Sequence, residues 1–501
     1  MYSVIVAFGL AGVMLCLGMA LRGKVKPLQS MLMPVSVIGG VLGFLFVNLL
    51  MPYVDICGVS TTDFSNIVDV FFVMSFISIG LTGSKKKKEK PAEKGEKSKT
   101  SGPVRGAMGM ALIWCILYAL TPTAGIIIVA LIGKAFDMNP MYGILIPFAF
   151  CQGPGQSSTY GKLFEGVYGF ENAEMVALTF AALGFIAAFG IGVPLARYGL
   201  KKGLAKNKAK INEAVERGYL VPEEQRESLG KVTFHSANIE TVGAHLAIMG
   251  VTYLLTLVLA KIVSYVPVLG SSLSATLFMW GMFAAYIVKA VMRKLKIDYL
   301  INNVFQSRLT GFLSDFLVVC SFMAIRVSVI GKWIVPIIAV SIVGAAITYF
   351  VCLYFGERLG SDHDFERVLG VFGTCTGTTP SGVSLVRMVD PRLQTPAGAE
   401  LGVMNAAMVL STPTVTIITF AGLQILSLPV ACAGMMVTVL IYLILLKVFR
   451  VWRKPTFTLK KGKIYDGVED DSDVPFLKGY LHYVVESGSE DLDKTIKNSW
   501  N

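Results

Sequence analysis

The chain has 501 residues, 54% of them hydrophobic and only 16% charged, and 45 Lys and Arg against 33 Asp and Glu give a formal net charge of +12. A soluble domain carries about 25% charge, and its apolar residues do not fall in runs of about 20, the length that crosses a hydrocarbon core of about 30 Å. Composition therefore excludes an ordinary soluble enzyme and, because the basic residues lie between apolar runs, argues against a nucleic-acid binder. Residues 1–21 are apolar from the start, lack a basic leader and precede Arg22, so they read as a first span rather than a cleaved signal. The eight cysteines show neither metal-ligand spacing nor a disulfide framework, and four histidines are too few for a His-rich metal site.

In chain order, spans are predicted at about 3–21, 29–51, 66–83, 107–133 and 174–197, then at 241–263, 272–291, 309–327, 333–355 and 403–424, with a last one at 429–448. Two further apolar stretches, 142–165 and 369–388, are interrupted by Gly, Pro and hydroxyl residues. They read as re-entrant hairpins, which are tolerated at membrane depth only where buried in protein or lining a watery cavity.

The charges between spans set a topology. Arg22, Lys24 and Lys26, the lysines of 84–99, Arg105, the basic linker 198–240, Arg293, Lys294 and Lys296, and Lys447, Arg450, Arg453 and Lys454 share one side if the N-terminus is outside and the C-terminus cytoplasmic. Arg326 and Lys332 fall on the opposite side and do not fit. The expected organisation is a first repeat over 1–198, a cytoplasmic linker over 199–240, a second repeat over 241–424, an extra span over 425–448 and a cytoplasmic tail over 449–501. Each repeat holds five spans and one hairpin, in opposite orientations. The fold class is thus an all-α polytopic membrane protein with two inverted-topology repeats, the layout of a secondary transporter. A local echo supports the repeat: residues 69–79 align without gaps on 315–325, with identities at Asp69/Asp315, Val73/Val319, Ser75/Ser321, Phe76/Phe322 and Ile79/Ile325. The lysine run of 84–99 reads as an orientation signal in a solvated loop.

The hairpins carry the candidate chemistry. Gln152, Gly153, Gly155, Gln156, Ser157 and Ser158 cluster in the first, and Gly377, Thr378, Thr379 and Ser381 in the second. Glycine admits close backbone approach, and interrupted helices expose N–H groups suited to a carboxylate. Freed carbonyls and hydroxyls suit a hard cation such as Na⁺; Thr374, Thr376, Asn405, Thr412 and Thr416 are the candidates. The competing reading is that Gly and Ser merely permit tight helix packing and that the threonines bond between helices. Arg387 either grips a substrate carboxylate with its forked donors or flanks Asp390. Asp69 and Asp315, placed near the outer and inner ends of their spans, are either functional or anchors. His245 is expected to be packed and hydrogen-bonded. There is no P-loop and no nucleophile–base constellation, so the chain is not read as an enzyme.

Gly169, Phe170, Glu171, Asn172, Ala173 and Glu174, running into Val176 and Ala177 and closing on Gly192, Val193 and Pro194, resemble the first-half signature of the bacterial sodium:glutamate symporter (ESS) family. Gly377, Thr378, Thr379, Pro380 and Ser381 resemble its second-half Gly-Ala-Thr-Pro-Thr motif, and residues 321–326 are similar as well. The resemblance implies sodium-coupled uptake of glutamate or a similar small carboxylate by a dimeric, elevator-type carrier in the cell's plasma membrane (the inner membrane of a bacterium), with Na⁺ as coupling ion and no cofactor. There are departures. Gln152, Gly153, Pro154 and Gly155 replace a Gly-Gly-His-Gly run, and Leu385 stands where the family tends to have Asn. They bear on the identity of the cargo, so a carrier of another organic anion stays open beside the first reading. A channel or a membrane receptor is the alternative of a different class.

Overall fold

The computed structural model describes residues 2–82, 102–206, 228–391 and 393–464. The lysine run of 84–99, the middle of the predicted linker and most of the predicted tail lie outside the described residues. The described chain is helical: α1 (Tyr2–Lys24), α2 (Val35–Leu49), α3 (Thr61–Leu81), α4 (Gly102–Ile132), α5 (Pro154–Gly166), α6 (Ala173–Lys202), α7 (Thr241–Val263), α8 (Leu277–Lys294), α9 (Asn303–Met323), α10 (Ile334–Gly356), α11 (Asp364–Cys375), α12 (Thr379–Val389), α13 (Ala397–Ala406), α14 (Thr412–Gly422) and α15 (Leu428–Val448). A small antiparallel ribbon follows, β1 (Phe457–Thr458) against β2 (Gly462–Lys463).

Every predicted span has a helix, but not every helix is a full span. Among the described residues seven are long and apolar enough to cross a bilayer, or eight if the bent pair Ala397–Asn405 and Val409–Gly422 is one span. Three predicted spans fall outside that set for physical reasons. Helix α2 has 15 residues, about 22 Å at 1.5 Å per residue, shorter than the hydrocarbon core. Helix α8 carries Lys289, Arg293 and Lys294, and α9 carries Gln306, Arg308 and Asp315.

The chain forms two compact units. One is drawn from Met1–Gly83, Ile126–Phe185 and Glu213–Ser341, the other from Ser84–Gly125, Ile186–Asn212 and Ile342–Asn501. Each therefore takes residues from both halves of the sequence.

In the first unit α3 is the hub, packing on α1, α5, α7, α8 and α9. Its start is set by a capping box: Ser60 N–H donates to Asp63 Oδ2 at 2.8 Å, and the Ser60 side chain faces the third turn residue in return. Val73, Ile77, Leu81, Met249, Ala285 and Leu313 form the buried centre. Glycines let α1 and α2 touch: a Cβ on Gly39 would stand 2.8 Å from the Met14 carbonyl oxygen. The two echoing segments lie on α3 and α9, which run antiparallel. Ser78 Oγ meets Thr310 Oγ1 at 2.7 Å, while Phe71, earlier on α3, meets Phe316, later on α9 (ring centroids 6.3 Å apart). Asp69 and Asp315 both fall in mid-helix rather than near span ends, because α3 begins at Thr61 and α9 at Asn303, each several residues before the apolar run.

The second unit contains α11 and α12, packed side by side. Gly373 and Gly382 make this approach possible, since a Cβ on Gly373 would stand 2.8 Å from Gly382 Cα. Arg367 on α11 is buried and donates to Glu400 Oε1 and Oε2 at 2.6 and 2.8 Å and to Asp364 Oδ1 at 2.9 Å. Phe457 of β1 stacks edge-on against Phe365, and Thr456 Oγ1 donates to Asp364 Oδ2 at 3.0 Å.

Candidate functional site

Both interrupted stretches fold as breaks between short helical segments. The first unit holds the 140–166 stretch: a turn of 3₁₀ helix (Pro140–Leu145), a short helix (Ile146–Phe150), a break at 151–153, then α5. Its arms are held by Phe148 and Tyr160, whose rings stack with centroids 3.7 Å apart. Gly153 caps α5 with φ +80°, a conformation that favours glycine. Pro154 then opens the helix, where its missing N–H is no loss. A Cβ on Gly155 would run into the Phe72 ring of α3.

At this tip Gln156, Ser157 and Ser158 are buried. Ser157 Oγ turns back to the Gly153 carbonyl at 3.0 Å. The carboxamide oxygens of Gln152 and Gln156 are buried with no hydrogen-bond partner among the described residues, and leaving such a group unsatisfied costs about 1–3 kcal/mol. Ser158 faces the other way, towards charge. Its Oγ is 2.7 Å from Asp69 Oδ1 and 2.6 Å from Glu174 Oε1. Lys162, one turn further along α5, pairs with Asp69 and lies 3.7 Å from Glu174. Ser65 of α3 also donates to Glu174. Of these groups sequence reasoning picked out Ser158 and Asp69. It passed over Lys162 and Ser65, and it used Glu174 only as a motif residue. The signal for Lys162 was present: it is one helical turn from Ser158 and is the one basic residue of the 142–165 stretch.

The second unit holds the other break, between α11 and α12 at 376–378. Thr378 Oγ1 lies 3.3 Å from Ser381 Oγ, and Thr379 Oγ1 bonds with the Asn405 carboxamide, accepting from Nδ2 at 2.8 Å. Gly377 and Ser381 are buried beside them. The cation candidates do not converge. Thr374 and Thr376 donate to the carbonyls of Gly370 and Phe372 four residues back. Thr412 and Thr416 are exposed and donate to Val409 and Thr412 carbonyls. Thr376 lies in the break with its hydroxyl turned back into α11, and Asn405 is brought to the break from α13, where it meets Thr379, placed on the sequence among substrate contacts. Arg387 sits exposed in the last turn of α12, about 12 Å along the helix from Thr379 at 1.5 Å per residue. Asp390 is buried and accepts from Thr395 N–H at 2.7 Å and Thr395 Oγ1 at 2.8 Å. His245 is packed as expected. Its Nε2 accepts Asn302 N–H at 2.9 Å, which leaves Nδ1–H to donate to the Thr241 carbonyl at 2.7 Å.

Outside the spans, Asp362 and His363 immediately precede α11. His363 Nδ1 is 3.1 Å from Asp362, and Lys206 Nζ is 2.6 Å from the same carboxyl group. The His363 bond first, and Lys206 after it, hold the Asp362 carboxyl well below its ordinary range against burial. Burial and Arg367 push the His363 imidazole down, but the Asp362 and Glu400 carboxylates outweigh them and leave it raised.

Among the described residues no group of His, Cys, Asp or Glu is arranged to hold a metal ion. Long apolar helices and two interrupted segments with buried polar groups at their breaks define a multi-pass membrane protein. The match to known proteins agrees. The family model described as sodium/glutamate symporter covers residues 2–394, and the chain belongs to that family. It is 23% identical over 397 residues to a sodium/glutamate symporter of Haemophilus influenzae, an alignment covering 78% of this chain and 90% of that protein. The chain is thus a transporter and not an enzyme.

Proposed function

We propose that the chain couples Na⁺ to the movement of glutamate or a similar small carboxylate by elevator-type alternating access. The observation that carries this reading is the pair of buried, unpartnered carboxamide oxygens of Gln152 and Gln156 at the first break. Such acceptors call for a donor or a cation, which an amino acid's ammonium group or Na⁺ supplies. The start of α5 beside them has backbone N–H groups without intrahelical partners, suited to a carboxylate. One tip thus offers partners for both ends of an amino acid. Gly153, Gly155, Ser157 and Ser158 shape that tip, and Gly377, Thr378, Thr379 and Ser381 do so at the second. Arg387, exposed on α12, is assigned to a route of approach rather than to a seated ligand.

Family membership supports sodium and glutamate as cargo. The inverted repeat is supported by the antiparallel run of the two echoing segments on α3 and α9. Two such halves, each with a re-entrant hairpin, exchange near-equivalent conformations to expose the cargo to either side. The proposal includes a homodimer in the plasma membrane with its N-terminus outside and its C-terminus cytoplasmic, an orientation supported by the basic loops other than the one with Arg326 and Lys332. Replacement of Gly-Gly-His-Gly by Gln152, Gly153, Pro154 and Gly155 favours, as second reading, the same mechanism with another organic anion.

Uptake of radiolabelled glutamate into proteoliposomes, with and without an inward Na⁺ gradient, tests the reading. Saturable, gradient-dependent uptake lost in Gln156→Leu is expected. Dicarboxylate uptake without glutamate uptake would select the second reading, and ion currents without substrate dependence would defeat both.

A further inference from the structure

Ser158 is fully buried and stands between two carboxyl groups, 2.7 Å from Asp69 Oδ1 and 2.6 Å from Glu174 Oε1. A hydroxyl has one proton. It satisfies one of those oxygens, and the other then meets it lone pair to lone pair unless that carboxyl group itself carries a proton. We propose that the seam between α5 and the start of α6 is a proton-binding site, with the proton held on Glu174.

The choice of Glu174 follows from its neighbours. Lys162 pairs directly with Asp69 through Oδ2, the oxygen Ser158 does not use, whereas its ammonium is 3.7 Å from Glu174. Asp69 is therefore the ionised member. Glu174 is the more enclosed of the two, its side chain 17% exposed against 33% for Asp69. The proton order is then Glu174 O–H to Ser158, Ser158 O–H to Asp69, and Lys162 to the other oxygen of Asp69. With the proton bound, Asp69 and Lys162 cancel and the seam is neutral. Without it a net negative charge is left on a largely buried seam, which is costly.

Among the described residues the other charged and titratable groups around the seam do not supply a second cation. Glu165 of α5 accepts the Glu174 backbone N–H at 3.2 Å, adding negative charge. Tyr253 of α7 lies within electrostatic reach of Asp69. Asp315 of α9 is engaged with Ser36. Gly161 makes the arrangement close: any side chain there would strike the Glu174 backbone. Glu174 is thereby held against Ser158. Proton binding thus locks α5 to α3 and α6, and its loss leaves two carboxylates about Ser158, with Ser65 the remaining hydroxyl donor to Glu174.

The site goes beyond the cargo assignment and is tested without cargo. Infrared spectra of the purified chain in lipid, titrated from neutral to alkaline pH, should show a protonated carboxyl C=O band at neutral pH. The band should be absent in Glu174→Gln and present in Glu165→Gln and Glu171→Gln. A spectrum with no such band, or a band that survives Glu174→Gln, overturns the proposal. If Glu174→Gln does not fold, Glu174→Asp carries the test: the band must shift, and an unshifted band overturns it. In proteoliposomes, wild-type uptake should fall about tenfold per pH unit above the titration of Glu174, while Glu174→Gln varies less than about twofold. An unaltered pH profile in Glu174→Gln is the contrary result. Failure of glutamate uptake would count against the cargo reading and leave the infrared outcome standing.

Discussion

Thr379 and Asn405 hold one another across 26 residues of sequence. The Thr379 hydroxyl accepts from Asn405 Nδ2 at 2.8 Å and lies 3.1 Å from Asn405 Oδ1. The pair ties the first turn of α12 to the end of α13, so a residue predicted to touch substrate and one predicted to touch a cation form a single polar unit. Positioning of the second break therefore depends on the helix that follows it.

Thr379→Ala should lower uptake by about tenfold, within the 1–3 kcal/mol that an orphaned polar partner costs. Asn405→Ala should give a similar loss, and the double variant little more than either, because the residues act together. Kinetics of the three variants at matched expression check this. Additive losses would mean that the contact is incidental.

Ser158→Ala removes the hydroxyl that joins Asp69 to Glu174. Uptake should fall while the amount of folded protein in the membrane stays near wild type, since the Lys162–Asp69 pair remains. Unchanged uptake would remove the first tip from the transport path.

Gly155→Ala should impair folding or uptake by overpacking against Phe72, at a cost of about 1–3 kcal/mol. The combination with Phe72→Leu should restore much of it. Thermal unfolding in detergent reads the effect, and a Gly155→Ala variant as stable as wild type would contradict the contact.

Arg367→Leu should destabilise the protein by about 3–5 kcal/mol, because Glu400 and Asp364 are then buried without their cation. Glu400→Gln, which leaves Arg367 its bond to Asp364, should cost less. Unfolding midpoints rank the two, and equal midpoints would show that the cluster is relaxed by solvent.

The His363–Asp362 pair gives stability a pH window. The carboxyl group is lowered, so its contribution is present above the unfolded Asp value near 3.9 and is lost as pH falls through the folded one. The imidazole is raised, so its contribution is full below the unfolded His value near 6.5 and is lost as pH rises through the folded one. The difference in unfolding midpoint between wild type and His363→Asn should be largest between about pH 4 and pH 6.5 and shrink on both sides. A difference that grows above neutral pH would refute the assignment.

The positions of the helices, the two interruptions and the family motif were all legible along the chain. Hydropathy over about 20 residues and the local effects of Gly and Pro are properties of neighbours in sequence. The side-chain partnerships were not. Residues 69, 158, 162 and 174 meet only because α3, α5 and the start of α6 fold into one unit, and the threonines proposed for a cation were spent on carbonyls of their own helices. A hydroxyl in a helix reads the same in sequence whether it turns back to its own backbone or outward to a neighbour. Packing decides which, through the distance at which the next helix supplies a better partner.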